Sequence, residues 1–149
     1  MRLFPVTVVV AVAVVAAGCG GVPHHSGPSL NDEVRVGKFM FTVTAISLGV
    51  PKTGTRTAQG TFVIVNLRVR NMVAVPQPVY CQDQTLKDRN GRRYDNAVNL
   101  DSHTDRTVIQ PGKAVQIKCA FDVRKDSLPD SVTLRDSQYT SGVTVTLLR

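Results

Sequence analysis

The chain of 149 residues carries eighteen Lys and Arg against eleven Asp and Glu, a formal charge of +7, with no tryptophan and only 5% aromatic residues. That length is expected to build one domain with a modest core rather than two. Lacking the aromatic stacking platform of single-strand nucleic-acid binders, the basic chain is expected to meet anionic lipid or cell-wall polymer, or simply to stay soluble, and no nucleic-acid partner is expected.

The first segment decides where the rest works. Arg2 precedes an apolar run from Leu3 to Ala17, interrupted only by Pro5 and Thr7, and Ala16-Ala17-Gly18 places small residues directly before Cys19. The run is short for a membrane span of about twenty residues, and its layout is that of an export signal. Small side chains suit a narrow peptidase site, and the Cys19 thiol can take a diacylglyceryl group. Residues 1–18 are therefore expected to be a lipoprotein signal peptide and Cys19 the lipidated first mature residue. The protein would then sit at the cell membrane, lipid-anchored on the extracytoplasmic face. The cysteine count agrees: of three cysteines, acylation of Cys19 leaves Cys81 and Cys119. These form either one disulfide in an oxidising compartment or two separate buried thiols.

Gly20 to Pro28 mixes glycine, proline and polar residues without apolar period, as a flexible tether does, and residues 19–33 are assigned to lipidated cysteine and tether. His24 and His25 have no third ligand nearby, so no metal site is expected there. From Val34 apolar residues alternate with period two, the pattern of a half-buried strand. Phe39, Phe41 and Val43 share one face of a first long strand. Gly49 to Gly60, rich in Gly, Pro, Thr and Lys, reads as a mobile connection. Thr61 to Asn71 is the clearest strand, with Val63, Val65, Leu67 and Val69 inward.

Pro76 and Pro78 are expected to break pairing, and Asn90-Gly91 to turn a hairpin flanked by Gln84–Lys87 and Arg93–Asp95. Pro111-Gly112 predicts another turn. Val115, Ile117, Cys119, Phe121 and Val123 predict a strand with Cys119 inward. Val132 and Leu134, then Val143, Val145 and Leu147, complete the set. No segment of the mature chain has helical period. Residues 34–149 are thus expected to fold as an all-β, antiparallel immunoglobulin-like β-sandwich of about seven to eight strands.

These strands in order resemble a bacterial family of exported immunoglobulin-like domains, domain of unknown function 4352, and the small secreted immunogenic β-sandwich antigens of mycobacteria. The resemblance rests on Gly37 with Phe41 and Val43, and on Gly60-Thr61-Phe62-Val63-Ile64-Val65 running to Asn71. It continues through Leu86-Lys87-Asp88 before Asn90-Gly91 and Tyr94, Ile109-Gln110-Pro111-Gly112, and Phe121-Asp122-Val123 before Pro129. It implies an immunoglobulin-like sandwich, often carried on a lipoprotein, and supplies no catalytic residue.

Candidate chemistry is sparse. His103 lies in Asp101-Ser102-His103-Thr104-Asp105, which assembles the residue types of a hydrolytic triad at adjacent positions, where side chains do not converge. Asp83, Asp88, Asp95 and Asp122 are expected at the surface rather than as facing carboxylates. Asp88-Arg89-Asn90-Gly91 lacks the alternating ligands and closing glutamate of a calcium loop. Met40 and Met72 are not clustered as copper handling requires. No catalytic residue, cofactor or metal site is expected. What remains is a basic surface, with Arg68 and Arg70 on one strand and Lys87, Arg89, Arg92 and Arg93 at a hairpin tip. The expected function is non-enzymatic: a binding or structural module of the cell envelope whose partner is another envelope protein, anionic lipid or cell-wall polymer. An extracytoplasmic carrier of a small ligand or metal is the alternative, with an envelope hydrolase behind it.

Overall fold

A computed structural model describes residues 27–148. Residues 1–26, which include the expected signal peptide, Cys19, His24 and His25, lie outside the described residues.

The domain is an antiparallel sandwich. Its strands are β1 (Glu33–Val36), β2 (Phe39–Thr53), β3 (Arg56–Asn71), β4 (Gln77–Tyr80), β5 (Thr85–Asp88), β6 (Arg93–Tyr94), β7 (Val98–Asn99), β8 (Arg106–Ile109), β9 (Ala114–Val123), β10 (Pro129–Leu134) and β11 (Val143–Thr146). A five-stranded sheet runs β1-β2-β3-β9-β7, a four-stranded sheet β11-β10-β5-β6, and β4 and β8 form a two-stranded ribbon. The one helical element among the described residues is a 3-10 turn at Cys81–Asp83. The inner faces supply the core that alternation predicts. Phe39, Phe41, Val43, Val65, Leu67 and Val69 come from β2 and β3, Ile117, Cys119 and Phe121 from β9, and Val132, Leu134 and Val145 from the facing sheet, all essentially without solvent contact.

The strand count exceeds the expected seven to eight because one expected strand divides and short strands form at Gln77–Tyr80 and Val98–Asn99, where none was expected. The single strand expected from Val34 is two. Gly37 adopts φ +53° and turns the chain, so that β1 folds back on β2 with Val36 opposite Phe39. A Cβ at Gly37 would also overlap the Asp136 carboxylate. The sandwich begins before residue 34 as well. Ser29 bridges to Thr146, Asn31 N–H donates to the Val43 carbonyl at 2.8 Å, and Leu30 packs against the core.

Gly49 to Gly60 is not a loop: the β2–β3 ladder continues through it to a tip where Thr53 faces Arg56. Register shifts between Val43 and Ala45, between Ser47 and Val50, and between Val50 and Lys52 mark this arm. Bulges add twist and bend a strand. Pro78 lies within β4, opposite Val108. Its missing donor is tolerated because a two-stranded ribbon is all edge. The Asn90-Gly91 hairpin forms between β5 and β6, but its loop has four residues and only Gly91 takes positive φ, at 80°.

The Cys81–Cys119 disulfide, Cα–Cα 5.3 Å, ties the 3-10 turn to the middle of β9. Both halves are fully buried, and of the two readings, one disulfide or two separate thiols, the bonded one is correct.

Candidate functional site

Two surface regions hold polar side chains in organised positions. The first lies where the β2–β3 arm meets the segment around His103. Thr53, Gly54, Thr55 and Arg56 at the arm's tip and Asn99 to His103 line an open hollow of about 320 Å³. Arg56 also borders a hollow with Phe62, Val98, Ala120 and Asp122, and Thr53 one with Ile64, Asn66 and Lys118. The arm's tip therefore stands over the outer face of the five-stranded sheet, with Arg56 common to two of these spaces. The arm's root is fixed by Asp122, whose carboxylate accepts from Gln59 N–H at 2.8 Å and Gly60 N–H at 3.0 Å.

His103 is exposed in this region, but its neighbours are engaged elsewhere. Asp101 Oδ2 accepts from Lys118 N–H at 2.9 Å, Asp105 Oδ2 from Gln82 N–H at 3.1 Å, and Ser102 Oγ from Thr104 N–H at 3.2 Å. Carboxylates that hold backbone amides shape a loop; neither one holds the imidazole. Asn66 Oδ1, beside the hollow with Thr53 and Lys118, and Asp105 Oδ1, beside a neighbouring hollow with Arg56, Gln82 and His103, are buried acceptors without a partner among the described residues.

The second region is the β5–β6 hairpin tip, organised by Asp88. Expected at the surface, Asp88 is only 4% exposed. Its position at the end of β5 puts the carboxyl under its own loop. Oδ1 accepts from Arg92 N–H at 2.8 Å and Asn90 N–H at 3.0 Å, and Oδ2 from Ser127 Oγ at 2.7 Å and Tyr94 OH at 3.4 Å. The Ser127 hydroxyl, then the loop amides, favour the ionised form and hold the Asp88 carboxyl below the usual carboxylate range. Of the other acids, Asp95 and Asp122 are exposed as expected. Asp83 is half-buried in the 3-10 turn, and burial, then the charge of Asp105, pushes its carboxyl upward against the pull of Arg135.

The expected basic residues do not form one surface. Lys87, Arg89, Arg92 and Arg93 are exposed around the hairpin of the four-stranded sheet. Arg68 and Arg70 lie on β3 in the other sheet, in rows with Thr42 and Met40. Met40 is half-buried in the row of Arg35 and Arg70, on the face opposite Phe39 and Phe41. Alternation places a residue on a face of its strand but not its strand in a sheet, so the two basic groups could not be separated beforehand. Sequence reading also missed Arg124, Lys125 and Leu128, which a chain turn sets beside the hairpin: Arg89 N–H donates to the Leu128 carbonyl at 2.9 Å. Among the described residues no group of three or more His, Cys, Asp or Glu side chains converges to hold a metal ion, and no helix is long and apolar enough to cross a membrane.

A disulfide-stapled antiparallel sandwich whose polar groups shape loops defines a small β-sandwich domain. The chain belongs to the family described as domain of unknown function (DUF4352), whose model matches residues 28–144. No curated protein matches it. Solved structures of the same fold include the yjhA protein from Bacillus subtilis, at 12% identity and a TM-score of 0.58 over 81% of this chain and 99% of that one. Another is MPT63, a secreted protein from Mycobacterium tuberculosis, at 15% identity and TM-score 0.55, covering 82% and 96%. A third is ycdA from Bacillus subtilis, described provisionally as a lipoprotein, at 17% identity and TM-score 0.55, covering 80% of this chain but 38% of that one. At such identities the likeness is one of fold.

Proposed function

We propose that this protein is a lipid-anchored module on the extracytoplasmic face of the cell membrane that acts by binding an envelope component, without catalysing a reaction. The observation that carries the reading is the Cys81–Cys119 disulfide. A buried cystine suits an oxidising compartment, and it accounts for two of three cysteines, leaving Cys19 as the single thiol at the end of an export-type segment. The likeness to a secreted mycobacterial protein and to a protein described provisionally as a lipoprotein supports the same location.

The test is intact-mass measurement of the chain from membranes of a diderm or monoderm expression host. Cleavage before Cys19 with an added diacylglyceryl mass is expected, and Cys19→Ala abolishes both. A chain that keeps residues 1–18, carries no acyl mass and stays in the membrane fraction despite Cys19→Ala would overturn it.

A second reading, a carrier of a small polar ligand, is favoured by the polar lining of the open hollow under the arm's tip, where Thr53, Thr55, Arg56, Asn99, Asp101 and Ser102 meet. His103 lines the hollow at the arm's tip and the neighbouring one that Asp105 borders. A hydroxyl-rich ligand would suit such a lining. Thermal shift of the chain against a panel of sugars and polyols, with and without Arg56→Ala, separates it from the first reading.

A further inference from the structure

The hairpin tip is half of a larger surface. The turn formed by Arg124 to Ser127, with Ser127 N–H bonded to the Arg124 carbonyl, lies against the Arg89–Arg92 loop. Three bonds join the two: Arg89 N–H to Leu128 O, Ser127 Oγ to Asp88, and the Tyr94 OH–Ser127 Oγ contact at 3.1 Å. Arg92 and Arg124 line one hollow with Asp126 between the loops. The surface so built carries Lys87, Arg89, Arg92, Arg93, Arg124 and Lys125, all exposed. Only Arg93 and Arg124 of these have an ion-pair partner within 4 Å among the described residues, namely Asp95 and Asp126. Asp88 is buried beneath its loop. Amid these cations stands Leu128, 51% exposed and fixed to the backbone of Arg89. An exposed leucine beside Lys87, Arg89, Arg92 and Lys125, which have no ion-pair partner among the described residues, on two mutually locked loops is the pattern of a face that meets a charged, partly apolar interface.

From this geometry we propose that the β5–β6 tip and the 124–128 turn form one docking surface for an anionic phospholipid bilayer, Leu128 entering the headgroup layer and Lys87, Arg89, Arg92 and Lys125 meeting its phosphates. The place where the chain enters the domain favours a bilayer over a soluble polyanion. Ser29 pairs with Thr146, Thr146 with Ser131, Ser131 with Lys87, and Lys87 with Arg93. At strand spacing, Ser29 is about 15 Å from Lys87 along this row. The nine residue-to-residue steps from Cys19 to Pro28 reach at most about 30 Å. An anchor at Cys19 therefore keeps this surface within reach of the bilayer, and in this respect the inference rests on the lipid-anchor reading above.

Hydrogen exchange of the full chain tests the surface independently of the anchor. Vesicles of phosphatidylcholine alone are compared with vesicles containing phosphatidylglycerol. Amides of residues 89–92 and 125–128 are expected to exchange at least about tenfold more slowly on the anionic vesicles. High salt should remove that protection, as should either Leu128→Asn or the combined change of Lys87, Arg89, Arg92 and Lys125 to Gln. Exchange in the β3–β9 ladder, unchanged in these variants, shows that they fold. Equal protection on neutral vesicles, none on anionic ones, or protection by soluble polyphosphate without vesicles would overturn the proposal. Intact mass of the same sample reports on the anchor, so tip protection in a chain without acyl mass sinks the anchor and leaves the docking surface standing.

Discussion

Ser127 Oγ lies 2.7 Å from Asp88 Oδ2, a hydrogen bond across 39 residues of sequence that locks the turn before β10 onto the β5–β6 hairpin. Asp88 receives two loop amides on its other oxygen, so a single carboxylate fixes both loops. It has exposed neighbours in sequence, and only the folded hairpin buries it.

Asp88→Ala is expected to lower the unfolding midpoint at pH 7, and Ser127→Ala to cost about 1 kcal/mol, as for one lost hydrogen bond. The pH dependence identifies the charge. Because the folded state holds Asp88 below its ordinary value of 3.8, its contribution is complete above that value and is lost as pH falls through the lower folded value. Urea titrations of parent and Asp88→Ala at pH 7 and at successively lower pH should converge in acid. A difference that stays constant down to pH about 2 would show that packing, not ionisation, is at stake.

The disulfide gives a second prediction. Cys81 and Cys119 are 38 residues apart, and closing such a loop restricts the unfolded chain by about 4 kcal/mol in the chain-entropy account. The bond joins segments that no ladder connects directly, since the 3-10 turn at Cys81–Asp83 follows the ribbon strand β4 while Cys119 is central in β9. Replacing both cysteines with alanine should therefore lower stability by about that amount and show as a large drop in midpoint on thermal scanning. A loss near zero would mean that the unfolded chain holds these segments together without the bond.

Alternation made the sandwich legible. Val63 to Val69 and Val115 to Val123 read inward from sequence and are inward, because period two is a property of each strand alone. Strand continuation and partnership were not legible. Nothing in Gly49-Val50-Pro51-Lys52 distinguishes a loop from a bulged arm, because the bulges depend on the register of β3 beneath. Cys119 could be placed in the core, but its meeting with Cys81 required the turn at Cys81–Asp83. The basic tip was visible as Arg89, Arg92 and Arg93; its completion by Arg124, Lys125 and Leu128 came from a contact between segments more than thirty residues apart.

Asn71 gives the third prediction. At the end of β3 it is fully buried. Its Nδ2 donates to the Val75 carbonyl at 2.7 Å and the Ile109 carbonyl at 2.9 Å, while Oδ1 accepts from Val73 N–H at 3.0 Å. One side chain thus fixes the crossover from β3 to β4 and joins it to the end of β8. Alanine there removes the partner of two carbonyls and an amide, the bond to the Ile109 carbonyl being the fully buried one. The expected cost is about 3 kcal/mol, at the upper end for a lost buried network. Asn71→Asp keeps the shape and the Val73 bond but turns an acceptor toward two carbonyls, so at pH 7 it should destabilise more than alanine does and recover partly in acid as the carboxyl is protonated and regains a donor. Chemical denaturation of the two variants across pH reads both effects. An aspartate variant as stable as the parent at pH 7 would show that the Nδ2 bonds to Val75 and Ile109 contribute nothing.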